Sequence, residues 1–177
     1  MRNWYGINIE PLPDKYKLLL KERKRDINLE MGAGKEEGIF SLIVKGDGSR
    51  ISKINKNKNT NVIKVKVNTM TNICKNNIPK DKEIQFCKID VEGGERNVLL
   101  GFEFENYRPK VFCIESTKPG TSIPCHYLWE DILLKNNYSF VYQYKINRFY
   151  IDNKIEGLRE RFSIVKKTIK FYELLNK

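Results

Sequence analysis

The sequence has little histidine, no closely spaced cysteine pair and no long apolar run. Its single histidine is His126, and its four cysteines are Cys74, Cys87, Cys113 and Cys125. A zinc site of histidine and cysteine is hard to assemble from this set, so we expect structural, reduced thiols. No stretch approaches the roughly 18 apolar residues of a membrane span, and the N-terminus lacks the apolar core of a secretion signal. We therefore expect a cytoplasmic protein.

What is present is a globular composition with a large positive charge. Of the 177 residues, 40% are hydrophobic and 31% are charged, and the net charge is +11. A chain of this length most simply forms one domain, which we take to span residues 1–177. Its basic stretches, such as KGDGSRISKINKNKNTN, mix lysine with asparagine and lack RNP-like motifs. We interpret them as a solvated surface, and nucleic acid is not the expected partner.

Strand and helix patterns alternate in the first half of the chain. WYGINIE predicts a strand that ends at Glu10. PLPDKYKLLLKERKR predicts a helix, because Pro13 and Asp14 open it and basic residues close it. DINLEMGAG, GIFSLIVKG and VIKVKVNTM each predict a strand, with a Gly/Ser/Asn/Lys loop between the last two.

The second half continues this alternation. IQFCKIDVE and KVFCIES are nearly continuously apolar, which is typical of parallel strands covered on both faces, and GERNVLLGF predicts a helix between them. HYLWEDILLKNN predicts a helix with one stripe formed by His126, Trp129, Ile132 and Leu133. YSFVYQYKINRFYID predicts a hairpin, and residues 153–177 predict a basic helical extension. The pattern indicates an α/β fold with a Rossmann-like, mostly parallel sheet and a closing antiparallel hairpin.

Acidic residues at strand ends are the first candidates for a functional site. Glu10 lies where nucleotide-binding α/β folds place an acid for ribose hydroxyls, although a glutamate before proline is equally consistent with a simple strand end. Asp90, Glu92 and Glu95 lie within six positions, and such crowding is typical of sites that use a cation, a sulfonium or a proton transfer. For Glu95, the alternative is an exposed helix start that complements the helix dipole.

The loop after the second buried strand supplies further candidates. Glu115 ends that strand, residues 115–121 are rich in Ser, Thr, Pro and Gly, and His126 follows. Loops at the carboxyl side of parallel sheets commonly contact substrates, and a histidine there could act as a general base. A lone histidine at a helix start is more often a cap or a packing residue, so both interpretations stay open.

Five segments together resemble the FkbM family of S-adenosylmethionine-dependent methyltransferases: WYGINIEPLP, RDINLEMGAG, FCKIDVEGGERNVLLGFEFENYRPKVFCIEST, HYLWEDILLKNNYSFVY and INRFYID. They cover about residues 3–152 in the family's order. The resemblance implies a class I methyltransferase sheet with strand order 3-2-1-4-5-7-6. It also implies methyl transfer from S-adenosylmethionine to a hydroxyl of a sugar, a glycan or another small molecule.

The same resemblance implies residue roles. Glu10 would hold the ribose of the cofactor, and Asp26 or Asn28 would lie near its adenine. Asp90 and Glu92 would border the methionine end of the cofactor and the acceptor. The 115–121 loop and His126 would form the acceptor side. The candidate catalytic residues are thus Asp90, Glu92 and His126, and no metal ligand is assigned.

One departure from the family pattern concerns its first strand. Members carry a glycine-rich D-x-G-x-x-x-G loop ahead of the segment that corresponds to GINIEP, and no such motif precedes that segment here. In the family order that strand is central, so without it the strands of Glu10 and Asp90 lose a shared neighbour. We expect a truncated product or a true start further upstream. The alternative function is an inactive remnant that binds anionic glycan or nucleic acid through its basic surface.

Overall fold

The computed structural model describes residues 4–45, 48–52 and 61–175. Its helices are α1 (Pro13–Glu22), α2 (Met70–Asn77), α3 (Glu95–Leu100), α4 (Glu130–Lys135) and α5 (Leu158–Leu175), with a 3₁₀ turn at His126–Leu128. Its strands are β1 (Ile7–Ile9), β2 (Ile27–Leu29), β3 (Gly32–Gly34), β4 (Gly38–Lys45), β5 (Gly48–Ser52), β6 (Asn61–Thr69), β7 (Phe86–Ile89), β8 (Val111–Glu115), β9 (Tyr138–Tyr144) and β10 (Asn147–Asp152).

The described strands form three sheets, with the orders β1-β2, β3-β6-β4-β5 and β7-β8-β10-β9. The pairs β1–β2, β3–β6 and β7–β8 are parallel, whereas the ladders of β4 and β10 are antiparallel. The mixed α/β class is therefore present, but these strands do not form the single, mostly parallel sheet that the sequence predicts. The family order 3-2-1-4-5-7-6 uses its own strand numbers. In those numbers, the observed order β2-β1 corresponds to the segment 3-2, and the observed order β7-β8-β10-β9 corresponds to the segment 4-5-7-6.

The backbone divides into two compact units. The first unit contains Met1–Lys82 and Val91–Glu103, and the second contains Glu83–Asp90 and Phe104–Lys177. The first unit holds the two sheets built from β1 to β6, with α1, α2 and α3. The second unit holds the sheet of β7 to β10, with α4 and α5.

Local sequence signals explain several elements of the first unit. The helix predicted at Pro13 is confirmed: proline occupies its first turn with Asp14, and Lys21 lies in its last turn. In β6, Val65 and Val67 are buried while Lys64 and Lys66, which alternate with them, are exposed, as the alternating pattern predicts. These valines form a small core with Leu42.

Three elements of the first unit were not predicted. The first is β3, because DINLEMGAG, predicted as a single strand, forms β2 and β3 in two different sheets. β5 lies in the segment expected to be a loop, and it pairs antiparallel with β4. Residues 46–47 and 53–60 of that expected loop lie outside the described residues. α2 follows β6 directly, and the Thr69 hydroxyl caps it by accepting a hydrogen bond from the Asn72 backbone N–H at 3.1 Å.

The second unit is built around β8. This strand is almost fully buried, as its apolar run predicts. β7 differs from the prediction, because it lies at the end of its sheet and Phe86 is 45% exposed. Trp129 of the turn before α4 packs edge-on against Tyr150 of β10, with ring centroids 5.7 Å apart. The predicted hairpin is confirmed by the β9–β10 ladder, and the predicted C-terminal helix is α5.

The cysteines agree with a further prediction. All four cysteines lie in the described part of the chain, none of them forms a disulfide there, and three are buried. Burial raises the pKa of Cys74 to about 11, which keeps this thiol protonated and unreactive near neutral pH. Among the described residues, no helix combines the length and the apolarity needed to cross a membrane.

Candidate functional site

Glu10 lies at the carboxyl end of β1. Its backbone N–H donates to the Leu29 carbonyl at 3.1 Å, which extends the β1–β2 pairing by one residue. Its Oε1 accepts a hydrogen bond from the Leu12 backbone N–H at 2.9 Å and so stabilises the turn into α1. Within the described residues, no group donates to its other oxygen, Oε2, and the side chain is partly exposed. One oxygen thus has a structural role, while the other is available to a ligand.

Asp26 is the hub of a hydrogen-bond network in the first unit. Its Oδ1 accepts from the Gly6 backbone N–H at 3.1 Å, and its Oδ2 accepts from Asn8 Nδ2 at 3.1 Å and Arg23 Nε at 2.7 Å. Burial acts to raise the pKa of Asp26, but these hydrogen bonds and the Arg23 charge outweigh it, so the pKa lies below its ordinary value. Its carboxylate therefore ties β1 to the segment between α1 and β2.

Asn28 extends the same network. Its Oδ1 accepts from Asn8 Nδ2 at 2.9 Å, and its Nδ2 donates to the Arg23 carbonyl at 3.0 Å. Asp26 and Asn28 thereby fix the relative position of β1 and β2, and hence of the backbone that carries Glu10. Their predicted contact with the adenine of a cofactor stays a prediction, and these hydrogen bonds would compete with it.

In the second unit, Asp90 and Glu115 lie at the carboxyl ends of two neighbouring parallel strands, β7 and β8. β7 and β8 pair in register with Ile89 opposite Ile114, so the next residue of each strand is the acid. A carboxylate oxygen of Asp90 lies within 4.8 Å of one of Glu115. Glu115 is only 6% exposed, whereas Asp90 is exposed and its Oδ2 lies 2.5 Å from Lys88 Nζ.

Glu92 and Glu95 lie in the turn and helix start that belong to the first unit. Glu92 has a φ of 54°, a left-handed conformation that residues other than glycine seldom adopt. Glu95 is 3% exposed, so the interpretation as an exposed helix start is wrong. Its Oε1 accepts from the backbone N–H groups of Val91 and Gly93 at 3.3 and 3.1 Å. Glu95 therefore holds the turn in which Glu92 lies.

His126 opens the 3₁₀ turn of the second unit and is partly buried. Burial lowers its pKa, the Arg148 charge lowers it further, and Glu130 acts in the opposite direction. The net shift is downward, so the imidazole is neutral near pH 7 and can accept a proton. The apolar stripe predicted with His126 is otherwise confirmed, because Trp129, Ile132 and Leu133 are buried.

The sequence did not predict the charged cluster beside His126. Arg148 Nη2 lies 3.0 Å from Glu130 Oε1, and the Tyr150 hydroxyl donates to the same oxygen at 2.7 Å. The Arg148 guanidinium also lies 4.0 Å from the centre of the Phe140 ring. Burial and the Glu130 charge raise the pKa of Tyr150 far above its usual range. No local motif marks these residues, since Glu130 and Tyr150 are 20 positions apart.

The β8–β10 ladder sorts these residues onto two faces. Asn147 pairs with Glu115, and Arg148 pairs with Ile114. Directly opposed residues of antiparallel strands project to the same face, and consecutive residues project to opposite faces. Glu115 and Asn147 therefore share one face, and Arg148 with its partner Glu130 lies on the other.

Comparison with known proteins decides the family. The sequence matches the Methyltransferase FkbM domain over residues 1–140. The chain belongs to the FkbM methyltransferase family. The matched range of this FkbM-family chain includes all six residues for which the sequence predicts a role. They are Glu10, Asp26, Asn28, Asp90, Glu92 and His126.

A solved structure can also be compared with this FkbM-family chain. It is the crystal structure of methyltransferase FkbM from Methylobacillus flagellatus KT, with a TM-score of 0.47 and 17% sequence identity. The similarity covers 82% of this chain and 36% of that chain, so the present chain spans little more than a third of that protein's length. No match is found among curated proteins.

Proposed function

We propose that this FkbM-family chain transfers a methyl group from S-adenosylmethionine to a hydroxyl oxygen of a sugar or another small molecule. The family match over residues 1–140 carries the proposal, because it spans the candidate residues for both the cofactor and the acceptor. The sulfonium of this cofactor is already an activated methyl donor. The protein must therefore align donor and hydroxyl and provide for the loss of one proton.

Glu10 fits the ribose end of the cofactor. Its position directly after a parallel strand is the one from which acids bind ribose hydroxyls in nucleotide-binding α/β folds. The Leu12 N–H holds its Oε1, which fixes the orientation of the carboxylate and leaves Oε2 for the ribose hydroxyls. Asp26 and Asn28 remain our candidates for the adenine end, and their bonds to Asn8 and Arg23 also hold the strand that carries Glu10.

His126 fits the acceptor end. Its lowered pKa favours the neutral imidazole, which is the form that accepts the hydroxyl proton. Asp90 and Glu92 follow β7, and the carboxyl ends of parallel strands are where open α/β sheets bind ligands. We assign these two carboxylates to the methionine end of the cofactor and to the acceptor.

Isothermal titration with S-adenosylmethionine and with S-adenosylhomocysteine tests the cofactor assignment. We expect saturable binding to the full chain. Glu10→Gln should weaken it about tenfold, since one hydrogen bond to a charged group contributes roughly 1.5 kcal/mol. Glu22→Gln is the matched control, because Glu22 is an exposed carboxylate at the end of α1. Absence of binding to the wild-type chain would contradict the cofactor proposal, and equal binding to Glu10→Gln would remove the residue from it.

Transfer itself is tested with a methyl-labelled cofactor and a panel of sugars and small polyols. We expect label in a product that survives alkaline hydrolysis, which would release methanol from a methyl ester, and that releases methyl iodide on cleavage with hydriodic acid. The label should be lost in Asp90→Asn. If the chain binds no cofactor but is retained on heparin in a strongly salt-dependent manner, the binding-module alternative replaces this proposal.

A further inference from the structure

We propose that Asp90, Glu115 and Asn147, at one end of the β7-β8-β10-β9 sheet, bind a divalent cation such as Mg²⁺ or Mn²⁺. Two adjacent carboxylates alone do not make such a site. Strand pairing places on the same side of the sheet as Glu115 two residues whose buried oxygen atoms have no hydrogen-bond partner among the described residues, Asn147 Oδ1 and Thr117 Oγ1. The four groups belong to the second unit and are placed by strand pairing.

The two carboxylates are held together by the parallel register. Because Ile89 pairs with Ile114, the backbone brings Asp90 beside Glu115, and their oxygens approach within 4.8 Å. Glu115 is 6% exposed, so solvent screens its charge poorly. Two carboxylates this close repel each other, and a cation between them removes that repulsion.

Asn147 supplies the first independent observation. It is the direct cross-strand partner of Glu115, so both side chains project to the same face of the sheet. Its Oδ1 is buried and accepts no hydrogen bond from any described residue. Leaving a buried oxygen without a partner destabilises the folded state, and a bound cation would remove that cost.

Thr117 supplies the second independent observation. The Ser116 N–H donates to the Ile146 carbonyl at 2.7 Å, and Thr117 bridges to Pro124, so the extended pairing of β8 continues past Glu115. Thr117 therefore projects to the same side as Glu115. It is 7% exposed, and its Oγ1 has no hydrogen-bond partner among the described residues.

The chemistry of this set selects a hard cation. Carboxylate, amide and hydroxyl oxygens are the ligands of Mg²⁺, Mn²⁺ and Ca²⁺, and the set contains no imidazole or thiolate for a softer metal. Among the described residues, Asp90 forms an ion pair with Lys88, whose side chain is 47% exposed. Its ammonium can therefore move into solvent when a metal ion takes its place, so Lys88 acts as a competitor of the metal.

Metal binding also deepens the proposed function, on which this one step depends. A divalent cation at the carboxyl end of β7 and β8 would bind the acceptor hydroxyl and lower its pKa, which assists loss of its proton. The metal site itself does not depend on methyl transfer.

Mn²⁺ titration of the full chain, followed by electron paramagnetic resonance and without S-adenosylmethionine, tests the site. We expect one saturable Mn²⁺ that Mg²⁺ displaces. Glu115→Gln should weaken binding at least about tenfold, because affinity in such sites follows the number of charged ligands. Lys88→Met should strengthen binding, since it removes the competitor. Glu83→Gln is the matched control, because Glu83 is an exposed carboxylate of the same unit that pairs with Lys110.

Circular dichroism checks that each variant is folded. If Glu115→Gln does not fold, Asp90→Asn takes its place, because Asp90 is exposed and its loss leaves no buried cavity. The proposal is overturned if the wild-type chain shows no saturable Mn²⁺, or if the folded Asp90→Asn and Glu115→Gln variants bind it as the wild type does. Since the cofactor is omitted, failure of methyl transfer leaves this outcome unaffected.

Discussion

Arg108 and Asp152 form a two-point ion pair in the second unit. Arg108 Nη2 donates to Asp152 Oδ1 at 2.6 Å, and Nε donates to Oδ2 at 3.0 Å. The guanidinium also donates to the carbonyls of Phe104 and Asn136 and lies 4.9 Å from the centre of the Tyr138 ring. With 14% of the Arg108 side chain and 5% of the Asp152 side chain exposed, the pair is largely shielded from water.

Removing one partner of this pair should destabilise the fold strongly. We expect Asp152→Ala to lower the free energy of unfolding by about 3 kcal/mol, because it leaves the Arg108 charge buried and unpaired. Urea denaturation followed by circular dichroism measures the change. Lys135→Ala is the control, since its pair with Asp131 is exposed and should contribute less than about 0.5 kcal/mol. Similar losses in the two variants would contradict this view of the pair.

Asp152 should also make stability depend on pH. Burial acts to raise its pKa, but the bonds from Arg108 and from the Lys154 N–H outweigh this, and the pKa lies below the ordinary value of 3.8. For a depressed carboxyl pKa, the stabilisation is fully present above the unfolded value and is lost as the pH falls through the folded one. We expect the urea concentration at the unfolding midpoint to decrease when the pH is lowered below about 4, and to decrease less in Asp152→Asn. Asp26 has a shift of the same sign, so part of the dependence should remain.

His126 gives a direct test of its environment, because it is the only histidine. In an NMR titration, the imidazole proton signals can come from this residue alone, so no mutant is needed to assign them. We expect a pKa below the ordinary 6.5, caused by burial and by Arg148. Arg148→Met should raise this pKa, since it removes a positive charge near the imidazole and leaves the negative charge of Glu130 without its ion-pair partner. The urea-unfolded chain is the reference, and a folded pKa at or above the unfolded one would refute the assignment.

Gly101 should tolerate no side chain. A Cβ at this position would lie 2.2 Å from the Gly34 carbonyl oxygen, where the end of α3 packs on β3 in the first unit. Since the contact is with backbone, we expect Gly101→Ala to lower the free energy of unfolding by at least about 2 kcal/mol. Gly6→Ala is the control, because its Cβ would meet only Asp26 Oδ2 at an ordinary 3.9 Å. A Gly101→Ala protein as stable as Gly6→Ala would show that the contact relaxes.

Prediction from sequence succeeded where neighbouring residues decide the structure. Pro13 and Asp14 mark the start of α1, and the continuous apolar run of β8 marks a buried strand. It failed at β5, because a polar strand that pairs with β4 resembles a loop in composition. For the candidate site, the sequence singled out Glu10, Asp90 and Glu115 because each lies at the carboxyl end of a strand, which is a local signal. It gave no sign of Arg148 or Asn147.

The amino-acid order alone thus determined the family, most helices and strands, and the acids that follow them, because these depend on signals a few residues long. Only the tertiary structure decided which side chains meet: Arg108 with Asp152 across 44 positions, Asn8 with Asp26 across 18, and Asn147 with Glu115 through strand register. Such pairs leave no mark in the sequence, because each partner is an ordinary polar residue. Their proximity arises only when backbone hydrogen bonding fixes the register between distant segments.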